Sequence, residues 1–148
     1  MIIRAYHGSR TVSGPEGFDP SREVYLTDNE SLAASFGTRV LHLEVEGSKV
    51  YELDWMGCSW GGGYFPSDDG LFKAFLDYAS EGDEEERAYW NENGMCVDMF
   101  ASYLKSEGYN LLILHNVEEE HGFSSTEYVA LQGCSIKNCE EYGLPEHP

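Results

Sequence analysis

The sequence has few cations. Lysine and arginine together number only 9 of the 148 residues, against 27 aspartates and glutamates, so the formal net charge is −18. A field of that sign repels phosphate backbones and anionic lipids, which argues against free nucleic acid or a membrane surface as the partner. The same field attracts basic surfaces, including those of proteins that themselves bind nucleic acid. We therefore expect a basic protein as the partner.

Two further absences narrow the class of protein. The N-terminal run MIIRAYHGSR has no apolar segment of signal-peptide length, and no run of 18 apolar residues occurs anywhere. The four cysteines form no C-x-x-C pair, which favours reduced thiols over a zinc site. These features predict a soluble cytoplasmic protein that requires no metal. The length fits one domain over residues 1–148, and no repeat or low-complexity linker divides it.

Strand patterns dominate the first third of the chain. The predicted strands there are residues 2–7, 23–27, 39–46 and 49–54. A Gly47-Ser48 turn joins the last two, which predicts that they pair as a hairpin. A short helix between the second and third strands is predicted to begin after a Thr27 or Asp28 cap and to stop at Gly37.

The middle of the chain reads as three amphipathic helices. Ser67 is the predicted cap of the first, which ends at Gly82, and Asp83 is the predicted cap of the second, which ends at Gly94. The third ends at Gly108. Strands return in NLLIL and EYVAL, with SIKN as a candidate for one more, and the continuously apolar NLLIL indicates burial on both faces. The order β-β-α-β-β-ααα-β-β predicts a mixed α+β domain.

Residues 55–66, WMGCSWGGGYFP, fit neither pattern. Three consecutive glycines sit among four aromatic side chains, which predicts a loop that carries large apolar groups. The simpler interpretation is that these aromatics cover the edge of the core. The alternative is a lid or a partner-binding loop.

Three separated motifs resemble the signatures of a known enzyme family. They are YHGS at residues 6–9, YLTDNESLAASFG at 25–37 followed by VLHLEV and VYELD, and SSTEYVAL at 124–131. In this order they resemble the His-Tyr-Glu arrangement of the diphtheria-toxin class of ADP-ribosyltransferases. The resemblance implies a split β core with NAD bound in its cleft. The resemblance does not extend to the helical middle segment or to residues 55–66.

The resemblance implies a role for each matching residue. His7 would hydrogen-bond a ribose hydroxyl of the adenosine half of NAD, and Gly8 would present backbone groups to the nicotinamide carboxamide. Tyr25 would stack on the nicotinamide ring, with Phe36 as the second stacking aromatic in place of the tyrosine of the class. Glu127 would be the catalytic carboxylate, with His7 and Tyr25 as its catalytic partners. The implied NAD-binding set is completed by Ser9 and Thr27.

The chemistry of NAD cleavage favours the same residue types. Breaking the nicotinamide–ribose bond leaves positive charge at C1 of the ribose, and a fixed carboxylate nearby stabilises that charge as it develops. Aromatic rings desolvate the leaving nicotinamide and fix its plane. NAD enters this reaction as a co-substrate, and the reaction requires no metal.

The acceptor side of the site is predicted from the residues around Glu127. Members of the family that modify arginine carry Glu or Gln two residues before the catalytic glutamate, and Ser125 at that position disfavours arginine as the acceptor. The preceding loop, NVEEEHGFSS, would suit a basic protein surface, and a solvated loop is the simpler alternative. His115 and Asn116, at the end of the preceding strand, complete the predicted recognition set.

The expected function is therefore NAD-dependent mono-ADP-ribosylation of a basic protein target. Small acidic members of this fold include bacteriophage effectors that modify host proteins, anti-CRISPR proteins among them, which would place the activity in a bacterial cytoplasm. Two alternatives stay open. One is a catalytically inactive acidic binding module of the same fold. The other is a transferase that acts on a small molecule or on an RNA end.

Overall fold

The strands and helices follow one another in the predicted order. The computed structural model describes residues 1–9, 23–37, 39–118 and 124–143, and these form an α+β arrangement. The strands are β1 (Ile2–Ser9), β2 (Val24–Thr27), β3 (Arg39–Glu46), β4 (Val50–Asp54), β5 (Leu111–Glu118), β6 (Ser124–Ala130) and β7 (Ser135–Gly143). The helices are α1 (Glu30–Phe36), α2 (Asp69–Ser80), α3 (Glu84–Asn93) and α4 (Val97–Ser106). None of the helices in the described ranges has the length and apolar character needed to cross a membrane.

The seven strands form one sheet with a seam in it. Their order is β4-β5-β6-β2-β1-β3-β7, and all neighbours are antiparallel except the parallel pair of β4 and β5. β1 and β3 pair along the whole length of β1, whereas β1 and β2 share the single register pair of Tyr6 and Thr27. This β1–β2 seam divides the sheet into two strand groups, β1-β3-β7 and β2-β6-β5-β4.

The two strand groups fold over against each other. Gly47, which follows β3, lies so close to β5 that an added Cβ would be 2.7 Å from the Cβ of Leu111, although three strands separate β3 from β5 in the sheet. Leu41 and Leu43 of β3 belong to the same buried cluster as Ile113 of β5. Each such side chain contributes about 1.5–3 kcal/mol when it leaves water, which holds the folded-over sheet together.

The three middle helices cover the other face of β5. Phe75 of α2 and Phe100 and Leu104 of α4 pack in one cluster with Leu112 and Leu114 of β5. The strand is therefore buried on both faces, which confirms the interpretation of its continuous apolar run.

The predicted hairpin of β3 and β4 is wrong. β4 lies at the far edge of the sheet, where Val50 is the parallel register partner of Leu111. The side-chain oxygen of Asn110 accepts hydrogen bonds at 3.0 Å from the backbone N–H groups of Ser48 and Lys49. These bonds tie the segment after β3 to the start of β5 instead of letting it turn back along β3.

Two of the predicted helix caps are displaced by one or two residues. Asn29 caps α1 through its side chain, in place of Thr27 or Asp28. Asp68 caps α2 in the same way, in place of Ser67. Each error has the same cause, because adjacent residues all carry an oxygen that can accept a hydrogen bond from the first turn.

The remaining boundaries of the middle helices are confirmed. Asp83 accepts hydrogen bonds from two backbone N–H groups in the first turn of α3. Gly82, Gly94 and Gly108 follow α2, α3 and α4 with φ angles of 83°, 76° and 86°. Glycine adopts such angles without the steric penalty of a Cβ, which is why the helices stop there.

Candidate active site

A cavity of about 230 Å³ opens at the β1–β2 seam. Six of the predicted site residues line this seam cavity, namely His7, Gly8, Tyr25, Thr27, Phe36 and Glu127. Ser9 is the last residue of β1, next to Gly8. The structure therefore brings residues from all three motifs to one place, although they are spread over most of the chain.

Glu127 is a buried carboxylate on the wall of the seam cavity. It is the register partner of Thr27, which is in turn the partner of Tyr6, so these three side chains point to the same face of the sheet. Only 1% of Glu127 is exposed. The hydroxyl of Ser125, which is itself buried, donates a hydrogen bond to Oε1 of Glu127 at 2.7 Å. This hydrogen bond holds the Glu127 side chain in place.

The side chain of His7 bridges the seam. Its Nδ1 donates a hydrogen bond at 2.7 Å to the backbone oxygen of Tyr25, across two strands that are otherwise joined at one register pair. A carbonyl oxygen can only accept, so the bond places a proton on Nδ1. Burial lowers the pKa of His7, and the hydrogen bond to Tyr25 opposes this only in part. The imidazole is therefore neutral near pH 7 and held in one orientation.

Tyr25 is held on two sides. Its ring packs against Trp60, with the ring centroids 4.7 Å apart and the planes at 43°. Its hydroxyl donates a hydrogen bond to Oδ1 of Asp98 at 3.1 Å. Burial, followed by the charge of Asp98, raises the pKa of Tyr25, so the phenol keeps its proton and stays a donor. The ring is therefore fixed at the cavity wall.

Gly8 lets β1 approach α1 more closely than any other residue would. A Cβ at this position would lie 1.7 Å from the backbone oxygen of Ala33, an atom that cannot move aside without bending the helix. This contact places Phe36, the last residue of α1, at the rim of the seam cavity with 58% of its surface exposed. The close approach thus positions an aromatic ring that is free to meet a ligand.

His115 and Asn116, predicted to recognise the acceptor, lie outside the lining of the seam cavity as far as the described residues show. Nε2 of His115 donates a hydrogen bond to the carboxylate of Glu52, and its Nδ1 lies 3.4 Å from the Thr126 hydroxyl. Asn116 has a φ of 57° and donates a hydrogen bond to Asp54 at 3.1 Å. Their part in acceptor recognition stays a prediction. Residues 119–123 of the predicted acceptor loop lie outside the described residues.

Sequence reasoning missed Trp60 and Asp98. The loop of residues 55–66 divides its aromatics between two roles, because Trp55 and Tyr64 stack on each other inside the core while Trp60 lines the seam cavity. The simpler interpretation of the loop is therefore confirmed for the buried pair. The signal that marks Trp60 in the sequence is its position directly before three glycines.

The seam cavity combines one fixed carboxylate, one neutral imidazole and several aromatic rings. This set can bind a planar ring by stacking and can stabilise positive charge that develops close to the carboxylate. In the parts of the chain that the structure describes, no group of three or more His, Cys, Asp or Glu side chains is placed to hold a metal ion.

Comparison with known proteins gives one distant structural match. No protein-family model and no curated protein matches the chain. A solved structure described as the crystal structure of an anti-CRISPR protein aligns with 94% of this chain and 96% of its own, at 18% sequence identity and a TM-score of 0.46. At that TM-score the similarity establishes neither a shared fold nor a shared function.

Proposed function

We propose that this protein is an NAD-dependent mono-ADP-ribosyltransferase with a split, transferase-like β core. The observation that carries the proposal is the position of Glu127. It is a buried carboxylate, fixed by a hydroxyl donor, in the same cavity as the rings of Tyr25 and Phe36 and the imidazole of His7. A carboxylate is costly to bury, and a buried carboxylate in the same cavity as these rings can stabilise positive charge as it develops on a bound ligand.

The seam cavity suits one end of NAD. Ligand pockets commonly have volumes of roughly 300–1,000 Å³, and this cavity of about 230 Å³ would hold the nicotinamide and the adjoining ribose. Tyr25 and Phe36 offer apolar ring faces for stacking, and Gly8 brings backbone groups to the wall. Because Nδ1 of His7 donates its proton to the Tyr25 carbonyl, Nε2 is the atom of this imidazole that would accept a hydrogen bond from a ribose hydroxyl.

In the proposed reaction Glu127 stabilises positive charge at C1 of the ribose while the bond from C1 to the nicotinamide nitrogen breaks. The bonding electron pair leaves with the nicotinamide, which departs as a neutral molecule. A nucleophile of the target protein then forms the new bond to C1 and gives up its proton. Stacking by Tyr25 fixes the plane of the leaving group and excludes water from it.

The target we propose is a basic protein. The net charge of −18 supports this partner, because opposite charge both steers and orients an encounter. Acidity, small size and the three motifs together suggest a phage-borne effector that acts on a nucleic-acid-binding host protein in the bacterial cytoplasm, as anti-CRISPR transferases do.

The test is labelling of a bacterial lysate with biotin-NAD by the wild-type protein, by Glu127→Gln and by Glu46→Gln. Glu46 is exposed at the end of β3, so Glu46→Gln removes the same charge without touching the site. We expect a labelled protein band with wild type and Glu46→Gln that is lost with Glu127→Gln. Mass spectrometry of that band then identifies the target and the modified residue.

Equal labelling by wild type and Glu127→Gln would contradict the catalytic role of Glu127. Absence of label, together with a failure of NAD to raise the melting temperature, would contradict the proposed function as a whole. That result would favour the acidic binding module instead.

A further inference from the structure

A second cavity, of about 460 Å³, lies at the C-terminal end of α3. Trp60 lines both this α3 cavity and the seam cavity, so the two cavities are neighbours. Tyr89 and Trp90 of α3 and Asp98 of α4 are also among its lining residues.

The loop that closes the α3 cavity is seated firmly. Gly63 has a φ of 77°, and a Cβ there would lie 2.2 Å from the backbone oxygen of Asn93, at the end of α3. The next residue, Tyr64, exchanges two backbone hydrogen bonds of 2.9 Å with Met95. These contacts hold the loop of residues 55–66 against the end of α3, so the cavity is preformed.

Three independent features of the α3 cavity favour a positively charged ligand. Asp98 contributes a carboxylate, and the cavity is lined by Trp60, Tyr89 and Trp90, whose side chains are of the kind that bind cations through their π electrons. The C-terminal end of a helix carries the negative end of its dipole, and α3 has no basic residue in its last turn to balance it. Among the described residues that line the cavity, none is lysine or arginine.

We infer that the α3 cavity binds a cationic side chain, lysine or arginine, of the target protein. Such a side chain would sit between aromatic faces with its charge near Asp98, and the overall charge of −18 would draw the basic surface around it toward the cavity. The cation anchors the target and is not the group that receives ADP-ribose. The inference rests on the proposed function only in naming the partner as the transferase target.

The position of the α3 cavity suits an anchoring role. Trp60 separates it from the seam cavity, and Asp98 accepts the hydroxyl hydrogen bond of Tyr25, which faces the seam cavity. A target anchored here would hold a neighbouring residue close to the bond that Glu127 is proposed to cleave. Holding two reactants together in this way lowers the entropic part of the barrier.

The test uses the indole N–H resonances of the three tryptophans in ¹⁵N-labelled protein. The probe is N-acetyl-arginine amide, and the neutral control is the citrulline analogue, which has the same shape without the charge. We expect saturable shifts of the Trp60 and Trp90 resonances with the arginine probe. Trp55, whose indole donates to the Ser59 carbonyl in the core, serves as the internal reference and should not shift.

Asp98→Asn is the decisive variant, because it removes the charge but keeps an oxygen that can accept from Tyr25. We expect it to weaken binding of the arginine probe by roughly 5- to 10-fold. Asp69→Asn is the matched control, since Asp69 is an exposed aspartate of α2 and its loss changes the net charge by the same amount. Tyr89→Leu removes one aromatic face at a position that is 55% exposed, and it should also weaken binding.

Three results would overturn the inference. The first is equal binding of the arginine and citrulline probes, and the second is equal loss of affinity in Asp98→Asn and Asp69→Asn, which would indicate a general field effect. The third is competitive displacement of the arginine probe by NAD, which would assign the cavity to NAD itself. Because binding of the arginine probe itself is measured without NAD and without turnover, a failure of the proposed reaction leaves that binding result interpretable, and the reverse also holds.

Discussion

Two carboxylates lie in neighbouring cavities that share Trp60 as a wall, and a hydroxyl group donates a hydrogen bond to each of them. Ser125 donates to Glu127 at 2.7 Å, and Tyr25 donates to Asp98 at 3.1 Å. Glu127 is buried, whereas Asp98 is exposed. A charge acts more strongly on a neighbouring charge when water is excluded. The two carboxylates therefore differ through their burial and not through their residue type. Buried Glu127 is suited to stabilising a charge that develops in a reaction, and exposed Asp98 is suited to attracting a cation from solution.

The largest expected difference between the two carboxylates is in catalysis. Glu127→Gln should slow NAD cleavage by roughly 10²–10³-fold, because it removes the charge that stabilises C1 while keeping the shape of the side chain. Asp98→Asn should slow cleavage by less than roughly tenfold, because the exposed charge is screened by water. Both rates are measured by using chromatography to quantify the nicotinamide that is released over time. Similar losses in the two variants would remove the distinction between the cavities.

A pair of glycines tests how rigidly each cavity wall is built. Gly8→Ala should destabilise the fold by about 3 kcal/mol or more, because its Cβ would meet the Ala33 backbone oxygen at 1.7 Å. Gly61→Ala, in the wall of the α3 cavity, should change stability by less than about 0.5 kcal/mol, since nothing lies within 4 Å of the added Cβ. Urea unfolding measures both free energies. A tolerated Gly8→Ala would contradict the close approach of β1 and α1.

The two hydroxyl donors provide a finer comparison. Ser125→Ala leaves the buried Glu127 without that hydrogen bond and should cost about 2 kcal/mol of unfolding free energy. Tyr25→Phe removes the hydrogen bond to the exposed Asp98, which water can replace, and should cost less than about 1 kcal/mol. Chemical denaturation distinguishes these values. Equal costs would indicate that burial does not separate the two pairs.

The smallest expected effect is a pH dependence that comes from His7. Because burial lowers the pKa of His7 below its ordinary value of 6.5, the unfolded chain binds the proton more readily than the folded one. The stability that depends on neutral His7 is complete above pH 6.5 and is lost as the pH falls through the range between 6.5 and the lowered pKa. His7→Gln should flatten this part of the curve of unfolding free energy against pH. An unchanged slope in His7→Gln would contradict the assignment.

The elements of the fold are predictable wherever local patterns decide them. β3 is predicted over residues 39–46 because its alternating leucines and valines are followed directly by Gly47. The place of β4 is not predictable in this way, since a Gly-Ser turn fits a hairpin as well as a crossover. The crossover follows from contacts with a distant residue, Asn110, whose side chain holds the backbone of Ser48 and Lys49.

In the candidate site, too, features set by local sequence are predictable, and features set by distant contacts are not. The motifs around His7, Tyr25 and Glu127 are local, so a resemblance can identify them before their distances are known. The contact between Tyr25 and Asp98 spans 73 positions of sequence and is made by α4, whose amphipathic pattern indicates only which face is buried. Trp60 reaches the seam cavity because the glycines after it let the loop lie against α3, which no spacing in the sequence encodes.

The order in which the chain visits the two strand groups predicts how the protein unfolds. The strands of the two groups alternate along the chain, with β1, β3 and β7 in one and β2, β4, β5 and β6 in the other. If the chain is divided at any point between β2 and β6, neither of the two resulting segments contains all the strands of one group. Although the seam divides the sheet in space, it does not divide the chain into units that can melt separately. Both strand groups should lose their protection against amide hydrogen exchange in one cooperative step.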